Sequence, residues 1–193
     1  MDELREQDVD PDPLRQFDRW AAAGDADAMA LATATPDGAP SVRMVLLKGA
    51  SAAGLSFFTS YASRKGRELA ANPQAAILFH WRELGRQVRV EGRVERLPAA
   101  ESDAYFATRP AGARLSATAS PQSVVVADRA ALEALVEEAR ARSGGEPPRP
   151  ETWGGFLLVP AVWEFWQHRD DRLHDRLVYR RDGTAWLLER LAP

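Results

Sequence analysis

Apolar residues near the start of this chain follow a helical spacing. They recur every third position, at Leu14, Phe17 and Trp20. This spacing predicts an amphipathic α-helix that ends near Ala23. Asp12 can cap the helix with its side-chain oxygen, and Pro13 suits the first helical position, which needs no backbone N–H donor. Residues 1–11, which precede the helix, are expected to form a short, mobile N-terminus.

From Met29 onward, short runs of apolar and β-branched residues are separated by turn residues. The predicted strands are Ala30–Thr35, Ser41–Leu47, Leu55–Thr59, Ala75–Trp81, Gln87–Leu97, Gly155–Val159, Val162–Trp166, Leu177–Tyr179 and Ala185–Leu188. Turn signals at Pro36-Asp37-Gly38 and Arg181-Asp182-Gly183 join two of the strand pairs into hairpins. Many short strands without regular βαβ alternation favour a β-barrel with helical decoration over a doubly wound sheet.

Three further helices are predicted among these strands. Ser63 can cap a short helix that ends before Asn72-Pro73, and the other two helices are Ala99–Thr108 and Arg129–Arg142. The segment between those two, which carries residues 120–123, is predicted to be irregular. Residues 143–150 are rich in Gly and Pro, but only about forty residues follow them, so we expect one domain over residues 1–193.

Composition excludes several classes of protein. The net charge of −3 and the pI near 5.7 argue against a general nucleic-acid binder. The chain has no apolar run of the length of a membrane span, and its acidic start does not resemble a signal peptide. The absence of cysteine excludes disulfides and thiolate metal sites, and the three histidines lack a metal-binding spacing. We therefore expect a cytoplasmic protein with no metal, nucleic-acid or membrane partner.

Lysine is rare in this chain, with only Lys48 and Lys65 against 23 arginines. A compact ammonium group is not interchangeable with a planar guanidinium at every site. Lys65 follows Ser63 and Arg64 at the start of a predicted helix, where the helix dipole and free N–H groups favour an anion. We interpret the two lysines as candidate anion ligands, most simply for phosphate. Chance survival of two lysines and an ordinary capped surface helix are the alternatives.

Arg43 precedes Lys48 by five positions in one predicted strand. Side chains alternate between the two faces of a strand, so these two cations are expected to face opposite sides. They could bind one anion only if the strand bulged or ended between them.

The segment Asp170–Arg176 is densely charged and follows an aromatic strand that ends at Trp166. Arg172, His174 and Arg176 occupy alternate positions, so an extended backbone would direct all three side chains to one side. Such a row would suit an electron-rich aromatic substrate or cofactor. The alternative is a solvated, charged turn.

Ten short motifs occur in a characteristic order along the chain. They are Arg43-Met44-Val45-Leu46-Leu47-Lys48, Phe57-Phe58-Thr59, Ser63-Arg64-Lys65, Arg86-Gln87-Val88, Tyr105-Phe106 with Arg109-Pro110, Gln122-Ser123, Trp153-Gly154-Gly155, Glu164-Phe165-Trp166-Gln167, Arg172-Leu173-His174-Asp175-Arg176 and Glu189-Arg190-Leu191-Ala192-Pro193. With these motifs the chain closely resembles the pyridoxine/pyridoxamine 5′-phosphate oxidase family from Asp10 to Pro193. The resemblance implies an FMN-binding split β-barrel, mainly β with inserted helices, that works as a homodimer with flavin at the subunit interface.

The resemblance also implies roles for individual residues. The residues that match FMN contacts are Arg43, Met44, Val45, Leu46, Leu47, Lys48, Phe58, Thr59, Arg64, Lys65, Gln87, Gln122, Ser123, Trp166 and Arg176. The residues that match substrate contacts are Lys48, Tyr105 and Arg109 at the phosphate, with Arg172 and His174, the candidate catalytic residues, at the pyridine ring. The implied reaction oxidises pyridoxamine or pyridoxine 5′-phosphate to pyridoxal 5′-phosphate, with O2 as acceptor and H2O2 released.

Several positions depart from the family pattern. Ala113 stands where the family has a Ser that binds the substrate phosphate, and Phe58 stands where Tyr is common. His168-Arg169 replaces Gly and small residues, and the N-terminal extension that helps cover the substrate in relatives is almost absent. Two alternatives therefore stay open. One is a paralogue that oxidises a phenazine-type aromatic, although such relatives tend to lose the lysine at position 48. The other is a non-catalytic binder of flavin or pyridoxal phosphate.

Overall fold

A computed structural model of the chain describes residues 3–24 and 27–193. Its strands are β1 (Ala28–Ala34), β2 (Pro40–Leu46), β3 (Gly49–Ser51), β4 (Gly54–Ser60), β5 (Gln74–Trp81), β6 (Arg86–Arg96), β7 (Trp153–Gln167), β8 (Asp175–Asp182) and β9 (Ala185–Arg190). Its α-helices are α1 (Pro13–Ala21), α2 (Arg64–Ala71), α3 (Ala99–Thr108), α4 (Ala111–Ala119) and α5 (Arg129–Ser143). None of the helices within this described part is both long and apolar enough to span a membrane.

The strands form one curved antiparallel sheet. Its order is β2-β1-β5-β6-β7-β4-β3, and β8 and β9 continue from β7. Directly after β2, the Lys48 N–H donates to the Ser56 carbonyl of β4 over 2.8 Å. The two ends of the strand order therefore approach each other, as a split barrel requires, and the predicted mainly β fold with inserted helices is confirmed.

Strand β7 is the longest strand and connects two parts of the sheet. Its first half pairs with β4 and its second half with β8, while β6 pairs with both halves. The β6–β7 register shifts between Glu91 and Gly92, opposite Pro160. A Cβ at Gly92 would collide with the Val159 carbonyl, so the bulge requires glycine there. The sequence predicted two strands in place of β7, because Pro160 cannot donate to a regular ladder.

The core lies inside the curved sheet, and α1 closes one end of it. Asp12 caps α1 by accepting from the Leu14 N–H, as the sequence predicted. Phe17 is 1% exposed, and its ring centroid lies 4.9 Å from that of Phe79 and 5.6 Å from that of Trp163. Burial of large aromatic rings supplies most of the stabilisation that a core of this kind needs.

The segment that precedes α1 packs against β8 and β9. Leu4 and Val9 are buried, and the Leu4 N–H donates to the Asp175 carboxylate over 3.1 Å. The Tyr179 hydroxyl donates to the Asp10 carbonyl over 2.7 Å. Residues 1 and 2 of the expected mobile N-terminus lie outside the described residues. The contacts of Leu4 and Asp10 give the rest of the segment a defined position. Its mobility stays a prediction, and so does the organisation of the chain as a single domain.

Two further elements differ from the sequence prediction. Helix α4 occupies part of the segment that was predicted to be irregular, because its small residues give no amphipathic pattern to detect. It begins after Pro110 and packs against α5. Strand β3 has three exposed residues, Gly49–Ser51, which is too short for an alternating pattern to identify.

Candidate functional site

Most of the predicted ligand-binding residues line one of two separate cavities. One, of about 260 Å³, is lined by Met44, Val45, Leu46, Lys48, Phe58, Thr59, Lys65, Tyr105, Arg109, Gln122 and Trp153. We call it the lysine cavity. The other, of about 290 Å³, is lined by Gln87, Arg89, Glu164, Trp166, His174, Arg176 and Pro193. We call it the Trp166 cavity. The two share no lining residue.

Lys65 enters the lysine cavity from the first turn of α2. Ser63 caps this helix, accepting from the Gly66 N–H and donating to the Ser60 carbonyl over 2.7 Å. The Lys65 ammonium donates to Thr59 Oγ1 over 3.1 Å and to Gln122 Oε1 over 3.0 Å. Burial, together with the nearby Arg43 guanidinium, lowers the pKa of Lys65. No carboxylate in the described part of the chain pairs with this ammonium, so it suits an anionic ligand.

Arg109 lines the same cavity and lies above an aromatic stack. The Phe58 and Tyr105 rings stack with centroids 4.0 Å apart, and Trp153 continues the stack at 5.7 Å from Phe58. The Arg109 guanidinium carbon lies 4.6 Å from the Trp153 ring centroid. Its Nη1 is buried and has no hydrogen-bond partner among the described residues, and burial lowers the pKa of Arg109. A buried, unpaired guanidinium N–H is costly unless a ligand accepts from it.

Arg43 and Arg64 bind protein groups beside the lysine cavity. Arg43 donates to the Leu31 carbonyl over 3.0 Å and to Thr33 Oγ1 over 2.7 Å, and its Nη2 lies 3.3 Å from Glu68. The Arg64 Nε donates to Glu68 over 2.8 Å. Neither arginine lines the cavity, and Leu47 does not line it either. Strand β2 ends at Leu46, between Arg43 and Lys48, so the alternation expected of one continuous strand does not apply to this pair. Lys48 lines the cavity and Arg43 does not.

Two glutamates at these sites were missed by sequence reasoning. Glu164, at the Trp166 cavity, is 7% exposed and accepts from Arg176 over 2.8 Å and from Arg89. Although its burial acts in the opposite direction, these hydrogen bonds hold the pKa of Glu164 below its usual range. Glu68 is similarly buried beside α2. Only the i,i+4 spacing from Arg64 could have pointed to Glu68, and such pairs usually lie on exposed helix faces.

His174 contacts both residues of the His168-Arg169 departure. Its Nδ1 accepts from the Arg169 backbone N–H over 3.0 Å, so in the neutral ring Nε2 carries the proton. Its ring centroid lies 4.7 Å from that of Trp166 and 5.2 Å from that of His168. The departure therefore bears directly on a predicted substrate residue.

Arg172 corrects the expectation of an extended row of cations. It lies in the loop between β7 and β8 with φ at 65°, and its side chain is exposed and lines neither cavity. A left-handed residue interrupts the alternation of an extended strand, so only His174 and Arg176 share the Trp166 cavity. Within residues 3–24 and 27–193, Ser123 is the other non-glycine residue with positive φ, at 70°. Backbone strain of this kind concentrates at functional sites.

Two remaining positions of interest lie outside both cavities. Ser123 follows Gln122 but does not line the lysine cavity itself. Ala113 lies on α4 and lines neither cavity. The described residues also contain no group of three or more His, Asp or Glu side chains that could hold a metal ion. The ligand roles of all these residues stay predictions.

Comparison with known structures identifies the class of this fold. A crystal structure of an FMN-binding, pyridoxamine 5′-phosphate oxidase-related protein from Nostoc punctiforme superposes with a TM-score of 0.73 at 20% identity, covering 96% of this chain and all of the other. At that identity the likeness concerns the fold alone. The fold class is therefore the split barrel of FMN-binding proteins.

Family comparison then defines the chain more closely. The profile described as pyridoxamine 5′-phosphate oxidase matches residues 20–143, and that of the pyridoxine 5′-phosphate oxidase C-terminal dimerisation region matches residues 153–193. The chain belongs to this family of FMN-dependent oxidoreductases. The match to a dimerisation region supports a homodimer.

Individual relatives carry two different names. Pyridoxine/pyridoxamine 5′-phosphate oxidase of Cupriavidus taiwanensis is 56% identical over 98% of this chain and 93% of its own length. Pyridoxine/pyridoxamine 5′-phosphate oxidase 1 of Ralstonia nicotianae is 58% identical over 96% of this chain and 91% of its own length. The crystal structure of PhzG from Burkholderia lata, in complex with tetrahydrophenazine-1-carboxylic acid, superposes with a TM-score of 0.92 at 38% identity, covering 100% of this chain and 98% of the other.

Proposed function

We propose that this protein is an FMN-dependent oxidase that converts pyridoxamine or pyridoxine 5′-phosphate to pyridoxal 5′-phosphate. The observation that carries the proposal is the buried, unpaired Nη1 of Arg109 in a cavity that also holds Lys48 and the stacked ring of Tyr105. A desolvated guanidinium and an ammonium beside an aromatic ring suit a phosphorylated aromatic substrate.

The residues beside α2 suit the phosphate of FMN. Lys65 has no carboxylate partner among the described residues, and Arg64 engages Glu68 through Nε alone, which leaves its terminal nitrogens available. Both residues lie in the first turn of a helix, where free N–H groups and the dipole favour an anion. When bound, FMN would accept a hydride from the substrate C4′ carbon and pass the electrons to O2, which forms H2O2. The alcohol substrate would also lose its O–H proton, and the imine from the amine substrate would be hydrolysed by water with release of ammonia.

The side chains that match substrate contacts would hold the substrate at two points, its phosphate and its pyridine ring. Lys48, Tyr105 and Arg109 would bind its phosphate. His174 presents Nε2–H as a donor because the Arg169 amide occupies Nδ1, so it would orient the pyridine ring by donating to a ring substituent. Arg172 would close over the ring from its strained loop position. These groups contribute by positioning the reacting carbon, which is a large part of catalysis when a cofactor supplies the redox chemistry.

The position of the two cavities supports a site built from two chains. Trp153 at the start of β7 lines the lysine cavity, and Trp166 near its end lines the other. At a rise of about 3.3 Å per residue, roughly 40 Å of strand separates them. This length along the strand is the upper limit of the separation, and we infer that one flavin with its substrate would not reach both cavities within one subunit. A second copy would bring its Trp166 cavity against the first copy's lysine cavity.

PhzG provides the second candidate function, oxidation of a phenazine-type carboxylic acid. Its likeness in fold and the loss of a hydroxyl at Ala113 favour it. The higher identity of 53–58% to the pyridoxine/pyridoxamine 5′-phosphate oxidases favours the first candidate. So does the retention of Lys48.

Turnover under air tests the proposal. Purified protein would be reconstituted with FMN and given pyridoxine 5′-phosphate, pyridoxamine 5′-phosphate or a reduced phenazine carboxylate, and H2O2 would be measured with each. We expect H2O2 and pyridoxal 5′-phosphate in equal amounts from the phosphate esters. Turnover of the phenazine compound alone would favour the second candidate. Flavin binding without turnover of any of them would indicate a non-catalytic binder.

A further inference from the structure

The side chain of Glu68 connects α2 to two strands. It is 5% exposed, and its Oε2 accepts from Thr33 of β1 and from Ser41 of β2, over 2.6 Å for the latter. The same oxygen lies 3.3 Å from Nη2 of Arg43, and Oε1 accepts from Nε of Arg64 over 2.8 Å. Hydrogen bonds from Ser41, Thr33 and Arg64 outweigh the effect of burial and lower the pKa of Glu68 to about 2. The group is a fixed carboxylate at neutral pH.

Arg64 is the more exposed of the two arginines in this cluster. Its side chain is 58% exposed, whereas that of Arg43 is 20% exposed and also bonded to backbone and hydroxyl groups. A long exposed arginine samples many rotamers, and fixing them costs binding free energy. Glu68 fixes Arg64 through Nε, on the side of the guanidinium that leaves both terminal nitrogens available for a bidentate contact.

We propose that Glu68 is a positioning residue for an anion site at the start of α2, where it holds Arg64 in place for the phosphate of FMN. The proposal rests on the proposed function, because it takes FMN as the ligand of Lys65 and Arg64. Glu68 would not contact the phosphate itself, and it would affect flavin binding only through Arg64.

Charge alone would produce the opposite effect. Glu68 is an anion close to the site for another anion, so its removal would attract phosphate more strongly if electrostatic repulsion dominated. Positioning predicts weaker binding after its removal, because Arg64 would return to many rotamers. The sign of the change therefore separates the two effects.

The test compares FMN with riboflavin, which lacks the phosphate. Dissociation constants of both would be measured by quenching of flavin fluorescence on apoprotein of the wild type and of Glu68→Gln. The ratio of the riboflavin constant to the FMN constant isolates the phosphate contribution. We expect this ratio to fall by about ten- to a hundredfold in Glu68→Gln, the range of one or two charge-assisted hydrogen bonds. Riboflavin affinity itself should be unchanged.

Asp10→Asn is the matched control. Asp10 is also a buried carboxylate that holds two exposed arginines, Arg15 at 2.8 Å and Arg19 at 2.9 Å, but it lies ahead of α1 and lines neither cavity. Its ratio should equal that of the wild type. A wild-type ratio in folded Glu68→Gln, or a higher one, would overturn the inference and leave the proposed function intact. A wild-type protein that does not prefer FMN to riboflavin would overturn both.

Arg64→Lys tests the same idea without a change in the core. A lysine at position 64 has a single side-chain nitrogen. If Glu68 positions this residue, that nitrogen would pair with the carboxylate, and no second nitrogen would remain for the phosphate. We therefore expect Arg64→Lys to lower the ratio as far as Arg64→Gln does. If Arg64→Lys keeps the wild-type ratio, charge at position 64 is sufficient and the positioning role of Glu68 is wrong.

Discussion

At the scale of single residues, two buried glutamates divide the cations of the site into two kinds. Arg43 and Arg64 both pair with Glu68. Arg89 and Arg176 both pair with Glu164 in the same way. Lys48, Lys65 and Arg109 have no carboxylate partner among the described residues, and all three line the lysine cavity. Positive charge without a carboxylate partner is therefore concentrated in the lysine cavity, where phosphate is expected. The paired arginines are held in defined positions, and the terminal nitrogens of Arg64 stay available for an anion.

The first prediction concerns Lys65. Lys65→Ala should weaken FMN binding by about 1.5–3 kcal/mol, the range of a hydrogen bond to a charged group. The measurement is a titration of apoprotein with FMN, and riboflavin serves as the control ligand. Equal loss for both flavins would mean that Lys65 acts on something other than the phosphate.

The second prediction concerns Ala113. If pyridoxine 5′-phosphate is the substrate, Ala113→Ser should lower its KM, because the new hydroxyl would donate to the phosphate. The expected factor corresponds to a gain in binding free energy of up to about 1.5–3 kcal/mol. The value of kcat should change little, since a remote phosphate contact is similar in ground and transition states. Ala117→Ser, one turn further along α4, is the control. An unchanged or higher KM in Ala113→Ser would indicate a pocket built for another substrate.

The third prediction concerns Arg172 and His174. Arg172→Ala should lower kcat/KM for the phosphate ester, because the substrate would be positioned less well. The expected loss of transition-state stabilisation is about 2–4 kcal/mol, and FMN affinity should be almost unchanged. His174→Ala should act in the same direction more weakly. Steady-state kinetics and FMN titration on the same preparations would check both. Release of FMN from Arg172→Ala, with normal turnover of the remaining holoenzyme, would make the loop structural.

At the scale of secondary-structure elements, the sequence predicted most of the sheet and left out what tertiary packing decides. Alternation placed β1, β5 and β6 within about two residues of their observed bounds. It failed at Pro160, where a bulge with Gly92 lets one strand continue. It also failed at Arg172, because a positive φ in a non-glycine residue is set by the surrounding loop and not by local preference.

The N-terminal segment yields the fourth prediction. Arg190 in β9 donates to the Asp175 carboxylate over 2.7 Å, to the Leu4 carbonyl over 2.7 Å and to Glu6 over 2.8 Å. Arg190→Gln should lower the free energy of unfolding by about 2–4 kcal/mol, because Asp175 is buried and would lose a charged partner. Arg180→Gln removes a pair with Glu189 in which both side chains are about half exposed, so it should cost under about 1 kcal/mol. Urea unfolding measures both.

The same cluster adds a dependence on pH. Arg190 lowers the pKa of Glu6 to about 2. A carboxylate with a depressed pKa in the folded state stabilises the fold above its ordinary pKa, and this contribution is lost as the pH falls toward 2. The decline in unfolding free energy between pH 5 and pH 2 should therefore be shallower in Arg190→Gln than in the wild type. An equal slope would mean that Glu6 is not paired in solution.

At the scale of the whole molecule, the surface of β2 indicates association. Among the described residues this strand pairs in the sheet with β1 alone, and Val42, Met44 and Leu46 on its outward face are 69%, 63% and 52% exposed. A row of exposed apolar residues on an edge strand is typical of an interface, because it is otherwise open to aggregation. Met44 and Leu46 also line the lysine cavity. The surface that would meet a second subunit is therefore continuous with the surface that would meet the flavin.

The last prediction tests whether one site uses both chains. If the lysine cavity of one subunit faces the Trp166 cavity of its partner, Lys48→Ala and Arg176→Ala damage opposite halves of each site. A mixed dimer of the two variants then has one site with both changes and one with neither. After subunit exchange, activity should rise from near zero in each variant alone to about a quarter of the wild-type value, since about half of the dimers are mixed. Mixing either variant with itself is the control. If both cavities served one site within a subunit, every site in the mixed dimer would carry one change, and mixing would restore nothing.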